Sequence, residues 1–345
     1  MNKRIVSFFF LLLFAGSLYA AIGITDLRTE QLKNPAGIDV CQPRLSWRIE
    51  SDEQNVIQTA YHILVASSPE LLEQGKGDIW DSGKIESDAS QWITYQGKIL
   101  KCNAPYYWKV KIDTNKGATN WSAPAFWTTG LFNEADWQGQ WIGLDRAAPG
   151  DSETQWSRLA ARYLRKEFAV KKDVKRATVH IAGMGLYELF INGQRIGNQV
   201  LAPAPTDYRK TILYNTYDVT SLLQTENAIG VTLGNGRFYT MRQNYKPYKI
   251  PTFGYPKLRL NLIVEYADGS KETITTNTSW KLTTEGPIRS NNEYDGEEYD
   301  ARKELGAWTQ TGYDDKNWMP AQRVSIPSGT LRAQMMPGMK VTETL

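Results

Sequence analysis

Tyr106-Tyr107-Trp108-Lys109-Val110-Lys111-Ile112 sets the fold class. Trp108, Val110 and Ile112 recur at every second position, so they share one face of an extended strand, whereas a helix would scatter them. The same alternation runs through Pro43-Arg44-Leu45-Ser46-Trp47-Arg48-Ile49, which turns Leu45, Trp47 and Ile49 to one side. Tyr61-His62-Ile63-Leu64-Val65-Ala66, Ile79-Trp80-Asp81-Ser82-Gly83-Lys84, Gln91-Trp92-Ile93-Thr94-Tyr95 and Ala125-Phe126-Trp127-Thr128 continue a series of short strands separated by turn residues. From Ile22 to about Gly130 this spacing predicts a seven-stranded β-sandwich.

A chain of 345 residues is too long for one core, since single cores rarely grow past about 250 residues. Residues 131–141 (LFNEADWQGQW) read as a joint, and a second β unit runs from Trp141 to about Val324. Its strands are expected at 162–168, 176–182, 187–191, 210–218, 227–233, 257–265, 271–275 and 280–284. Antiparallel strands joined by long loops suggest a jelly roll. Asn192-Gly193 reads as a type I′ hairpin turn, because both positions must take positive φ. Gly234 and Gly236 flank Asn235 where the chain must turn sharply, and Asp218 or Thr220 is placed to cap the free amides that follow. The 12 Trp, 18 Tyr and 10 Phe suit pleated surfaces. The fold class is therefore all-β, one sandwich followed by another.

Residues 1–20 have the layout of a secretory signal: basic Asn2-Lys3-Arg4, an apolar run over residues 5–15, and the small-residue stretch Ser17-Leu18-Tyr19-Ala20. A spanning helix needs about 20 apolar residues, more than this run offers. A periplasmic or secreted protein, off the membrane after cleavage, is expected. Cleavage removes two of 40 basic side chains and none of 37 acidic ones, leaving the chain close to neutral. Nucleic acid is then an unsuitable partner, because phosphate binding needs a concentrated basic excess. The two cysteines, Cys41 and Cys102, lie in a compartment that permits disulfides. The sequence leaves a bond and two buried free thiols both open, since the required Cα separation cannot be read from it.

PRLSWRI, IWDSGKI, YYWKVKI and NWSAPAFWTTG, in that order, resemble the fibronectin type III-like module that opens family 78 α-L-rhamnosidases. GLYELFINGQRIGNQVLAPAPTDYRK, YNTYDVTSLL, NAIGVTLGNGRFY, EYDGEEYDARKE and GYDDKNW resemble the jelly-roll domain of the same enzymes. The resemblance implies a signal over 1–20, a fibronectin type III-like sandwich over 21–133, a jelly roll over 138–330, and a linker or strand over 331–345 leading toward a further domain. It also implies that the general acid and base belong to an (α/α)6 barrel that no residue of this chain matches. The expected function is non-catalytic: supporting or presenting rhamnose-containing plant or bacterial glycans to that barrel. By the same resemblance, Asn198, Gln199, Asn235, Arg237 and Tyr239 are the candidate carbohydrate-binding residues. Calcium is the candidate cofactor, with Asn198, Asn235 and Glu297 as ligands; the absence of an Asp beside Asn198 counts against it.

Two alternatives stay open, a free-standing carbohydrate-binding protein and a complete glycosidase. The second would use Glu293, Asp295, Glu297, Glu298 and Asp300. On a strand, residues 293, 295 and 297 would share a face at about 6.6 Å spacing, within reach of the roughly 6.5–9.5 Å that inversion needs. Acidic runs are more often solvated loop faces. His62 and His180 sit in apolar strands, where satisfied histidines are the usual outcome, and LGNGRF lacks the Lys-Ser/Thr ending of a phosphate loop. Sugar contacts are expected in the second domain, around Asn198, Asn235 and the aromatic loop 238–255. The first domain's Trp47, Trp80, Trp92 and Trp108 are expected to point inward or against the sheet.

Overall fold

The computed structural model describes residues 22–149, 151, 159–240, 253–294 and 296–343. The expected signal over 1–20 and most of the loop between Phe238 and Tyr255 lie outside them. The first sandwich pairs a three-stranded sheet (Gly23–Thr29, Arg44–Glu50, Ile93–Thr94) with a five-stranded one built on Gln58–Ala66 and Pro105–Thr114. That is eight strands; the two-residue Gly117–Ala118 folds back on the end of Pro105–Thr114. Trp108, Val110 and Ile112 are fully buried beside Leu45, Trp47 and Trp127. Inside that core the indole N–H of Trp47 donates to Gln58 Oε1 at 3.1 Å, so the ring can be buried without an orphaned donor. Trp92 departs from the expected pattern, for it stands 48% exposed.

The second sandwich packs a six-stranded sheet, centred on Arg162–Ala169 and Glu226–Gly234, against a seven-stranded one centred on Val174–Met184 and Lys257–Tyr266. Each strand expected from the sequence is present. Asn192 and Gly193 have φ of 50° and 83° and join Ile191 to Gln194 across the turn. Thr330–Ala333 pairs in parallel with Thr211–Asp218, so residues 330–333 belong to this sheet.

Val174–Met184 is buried on both faces, which hides its period. Ala177, Val179 and Ile181 enter the sandwich core, while Ala182 and Met184 face a second cluster with Leu131, Trp137 and Tyr214 at the joint. Lys257–Tyr266 does the same with different chemistry. Leu258, Leu260, Leu262 and Val264 point to the core, and the alternate residues Lys257, Arg259 and Asn261 form a buried polar row. Arg259 donates to Gly139 O at 2.7 Å and Trp137 O at 3.0 Å, and Asn261 Oδ1 accepts Gly139 N–H at 2.8 Å. These bonds satisfy backbone groups of Trp137 and Gly139 in the joint.

The first sandwich docks on that same outer face. His180, 0% exposed, is hydrogen-bonded through Nδ1 to Thr216 Oγ1 at 2.9 Å and through Nε2 to Asn103 Oδ1 at 3.0 Å. Arg176 also donates to Asn103 O and pairs with Glu265 at 2.6 Å. Tyr214 Oη exchanges hydrogen bonds with the backbone of Leu131, at 3.0 and 3.1 Å. His62, the other histidine, meets Asp81 at 2.6 Å. Cys41 is exposed and Cys102 half-buried, and they are not joined; burial pushes the Cys102 thiol up.

Burial drives the His180 pKa down from 6.5 to about 3, with Arg176 adding to the effect. Between those values the unfolded chain binds the proton and the native chain does not, so stability falls as pH drops below 6.5 and this loss is complete near pH 3. Each unit corresponds to about 1.4 kcal/mol. We expect denaturant unfolding to show wild type losing about 2 kcal/mol more than His180→Gln between pH 6.5 and 5; parallel pH profiles would contradict a neutral buried imidazole.

Candidate functional site

Ile288–Asn292 and Gly296–Tyr299 form a two-stranded hairpin outside both sheets. Its lie beside Leu186–Ile191 and the end of Glu226–Gly234 leaves a groove of about 720 Å³. Leu186, Leu201, Ile288, Tyr299 and Met339 give it apolar walls, and Arg237, Asn291, Glu293 and Glu297 supply polar groups.

Glycine sets how closely the hairpin approaches. A Cβ on Gly234 would come within 2.6 Å of Asn291 Oδ1, and one on Gly185 within 2.1 Å of Gly234 O. With that room kept, Asn291 Oδ1 accepts the Asn235 N–H at 2.6 Å. The Asn291 amide nitrogen is buried without a partner among the described residues. Arg237 leaves the turn beyond Gly236 (φ +51) and reaches Glu293 at 3.2 Å and the Tyr294 hydroxyl at 3.4 Å. Across the groove Leu201 takes φ +54 and is 55% exposed. It is held on both sides, by Val200 N–H to Met339 O at 2.9 Å and Tyr187 N–H to Ala202 O at 2.8 Å. Buried Tyr208 lies on the floor, its hydroxyl pushed up to about 12 by desolvation.

The sequence candidates divide. Arg237 and Glu297 line the groove. Asn198 is exposed outside it, and Gln199 is tied down through its backbone, its carbonyl accepting Arg195 at 2.5 Å. Asn235 is 1% exposed; its Nδ2 donates to Leu159 O at 2.6 Å and its carbonyl closes the turn to Phe238 and Tyr239. Tyr239 is buried and stacked on Tyr255 at 5.5 Å. Both are buried at the turn formed by residues 235–239. The expected calcium ligands Asn198, Asn235 and Glu297 are thus outside, under and on the wall of the groove. The described residues contain no group of three or more His, Cys, Asp or Glu side chains able to hold a metal.

The acidic run is not one strand face. Glu293 sits at the hairpin turn and pairs with Arg237, while Glu297 and Glu298 lie opposite Asn291 and Ser290 on the returning arm. Asp300 caps the short helix Ala301–Lys303 and holds Arg302 at 2.8 Å, an interaction that lowers its pKa to about 2. Asp295 lies outside the described residues. Leu201 and Asn291 carry no motif, and their roles come from strand register and the hairpin. Apolar walls with a few directed polar groups suit a small hydroxylated ligand.

Residues 172–343 match the family model described as the α-L-rhamnosidase N-terminal domain, and residues 24–133 the one described as the Rha78A-like N-terminal immunoglobulin domain. An α-L-rhamnosidase of Formosa agariphila is 36% identical over 98% of this chain, which spans 38% of that protein. The structure of the α-L-rhamnosidase from Dictyoglumus thermophilum superposes with a TM-score of 0.83 at 39% identity, covering 93% of this chain and 36% of that one. The Streptomyces avermitilis α-L-rhamnosidase complexed with L-rhamnose gives a TM-score of 0.83 at 25% identity, over 94% and 47% of the two chains.

Asn291→Ala removes the acceptor for the buried Asn235 N–H, and an unpaired buried amide costs about 1–3 kcal/mol. Thermal unfolding is expected to show that loss, and Asn291→Asp, which keeps an acceptor, is expected to recover most of it. Equal stability of Asn291→Ala and wild type would mean the hairpin is not anchored there.

Proposed function

Because residues 24–133 and 172–343 belong to the N-terminal domain families of α-L-rhamnosidases, we propose that the chain is the non-catalytic, glycan-facing region of such a glycoside hydrolase. It spans 38% of the Formosa agariphila relative, and the hydrolytic chemistry is assigned to a helical barrel beyond the domains described. The groove carries the reading. Its apolar walls at Leu186, Leu201 and Ile288 offer surface to the hydrocarbon face of a deoxy sugar such as rhamnose, and Arg237 and Glu297 offer hydrogen bonds to hydroxyls. The reading includes export, supported by Asn2-Lys3-Arg4 and the apolar run after it. Among the described residues no helix is long and apolar enough to cross a membrane.

Calorimetric titration of L-rhamnose against the chain, with and without calcium, tests the proposal. Arg237→Ala is expected to weaken binding about tenfold or more, the worth of a charge-assisted hydrogen bond. No turnover of an aryl α-L-rhamnoside is expected from this chain. Turnover abolished by Glu297→Gln would overturn the proposal in favour of a complete glycosidase.

A further inference from the structure

The outer face of the three-stranded sheet carries an aromatic platform that the groove does not account for. Trp92 precedes the Ile93–Thr94 strand, is 48% exposed and takes φ +61. Left-handed backbone in a bulky residue is an outlier that persists only where the surroundings hold it. Here they do. Trp92 N–H donates to Ser46 Oγ at 3.1 Å, and the same oxygen accepts Gln31 Nε2 at 3.2 Å. Two residues before Trp92, the Ser90 carbonyl accepts Trp47 N–H at 2.9 Å.

One indole face is covered by the Arg44 guanidinium, 4.3 Å from the ring centroid. That guanidinium is itself fixed, because Arg44 Nε and Nη2 both donate to the buried Glu30 carboxylate, the latter at 2.5 Å. Trp92 contributes nothing to the core that buries Trp47, Trp108 and Trp127. A strained, clamped and exposed indole outside the core is therefore explained neither by core packing nor by chance exposure of a mobile side chain. Each guanidinium here already has a carboxylate beside it: Asp26 pairs with both Arg28 at 3.0 Å and Arg48 at 3.2 Å, and Glu30 with Arg44. Guanidinium groups already engaged in this way favour a neutral ligand over a phosphate or an acidic chain. Arg44 and Thr94 lie opposite each other in the register, both exposed, where they supply a donor and a hydroxyl beside the ring.

We propose that this face is a second glycan contact, on which Trp92 stacks against the apolar face of a neutral pyranose while Arg44 and Thr94 hydrogen-bond its hydroxyls. The proposal takes from the function above only that the ligand is a glycan. The test is fluorine NMR of the full chain labelled with 5-fluorotryptophan, with the Trp92 resonance assigned by its loss in Trp92→Phe. Methyl α-L-rhamnoside and methyl β-D-galactoside are titrated separately to about 100 mM, a range that reaches weak single-ring sites. The Trp92 resonance is expected to move saturably with at least one sugar, both in wild type and in Arg237→Ala. A resonance that stays still with both sugars overturns the platform even if the groove binds; a moving resonance without groove binding refutes the groove alone. Trp92→Gly supplies the second arm, since glycine takes φ +61 without strain. Its Tm is expected to equal or exceed wild type, and a fall of more than about 4 °C would mark Trp92 as a packing residue and overturn the proposal.

Discussion

Burial of the Val174–Met184 strand on both faces is the constraint from which the arrangement of the two sandwiches follows. One face can be aliphatic because it meets an aliphatic sheet. The other faces the joint and the first sandwich, where backbone groups and Asn103 must find partners, so it carries His180 among small residues. Neighbouring strands obey the same rule, with Arg259 and Asn261 alternating with leucines. A polar row of this kind is directional, and a docking surface built from it accepts the first sandwich in one orientation where an oily face would tolerate several.

The groove is a by-product of the same economy of contacts at the other sheet. The hairpin Ile288–Tyr299 belongs to neither layer and is held through Asn291 at the end of Glu226–Gly234. The close approach rests on glycines: Gly185 lies against the Gly234 backbone, Gly234 against the Asn291 side chain and Gly236 against the Leu186 side chain. Arg237 then enters the space from the turn, already oriented by Glu293.

Much of the fold was legible because alternation and turn chemistry are local signals. Trp108, Val110 and Ile112 announced their strand, and Asn192-Gly193 announced its turn. The two-residue strands Ile142–Gly143 and Gln322–Arg323 were not legible, since they exist only through pairing with each other and with a distant strand. The candidate site was legible in part. Arg237 and Glu297 follow from motif order, but burial turned Asn235 and Tyr239 into supports, and Asn198 fell outside the groove. Trp92 was expected inward or against the sheet, although alternation with Ile93 and Tyr95, which face the core, puts it on the outer side with Thr94. Glu293 and Glu297 do not share the strand face that the spacing allowed, because Glu293 stands at the turn and Glu297 on the returning arm; the solvated face that acidic runs more often form is the better description.

The parallel pairing of Thr330–Ala333 with Thr211–Asp218 sets how the molecule bears load. Tension drawn along residues 330–333 acts in the direction of the strand, so all the rungs of that ladder resist together in shear and do not peel singly. Asp39 adds a fastening from the first sandwich, accepting Ala333 N–H at 3.1 Å. Residues 330–333 are therefore held by both sandwiches at once.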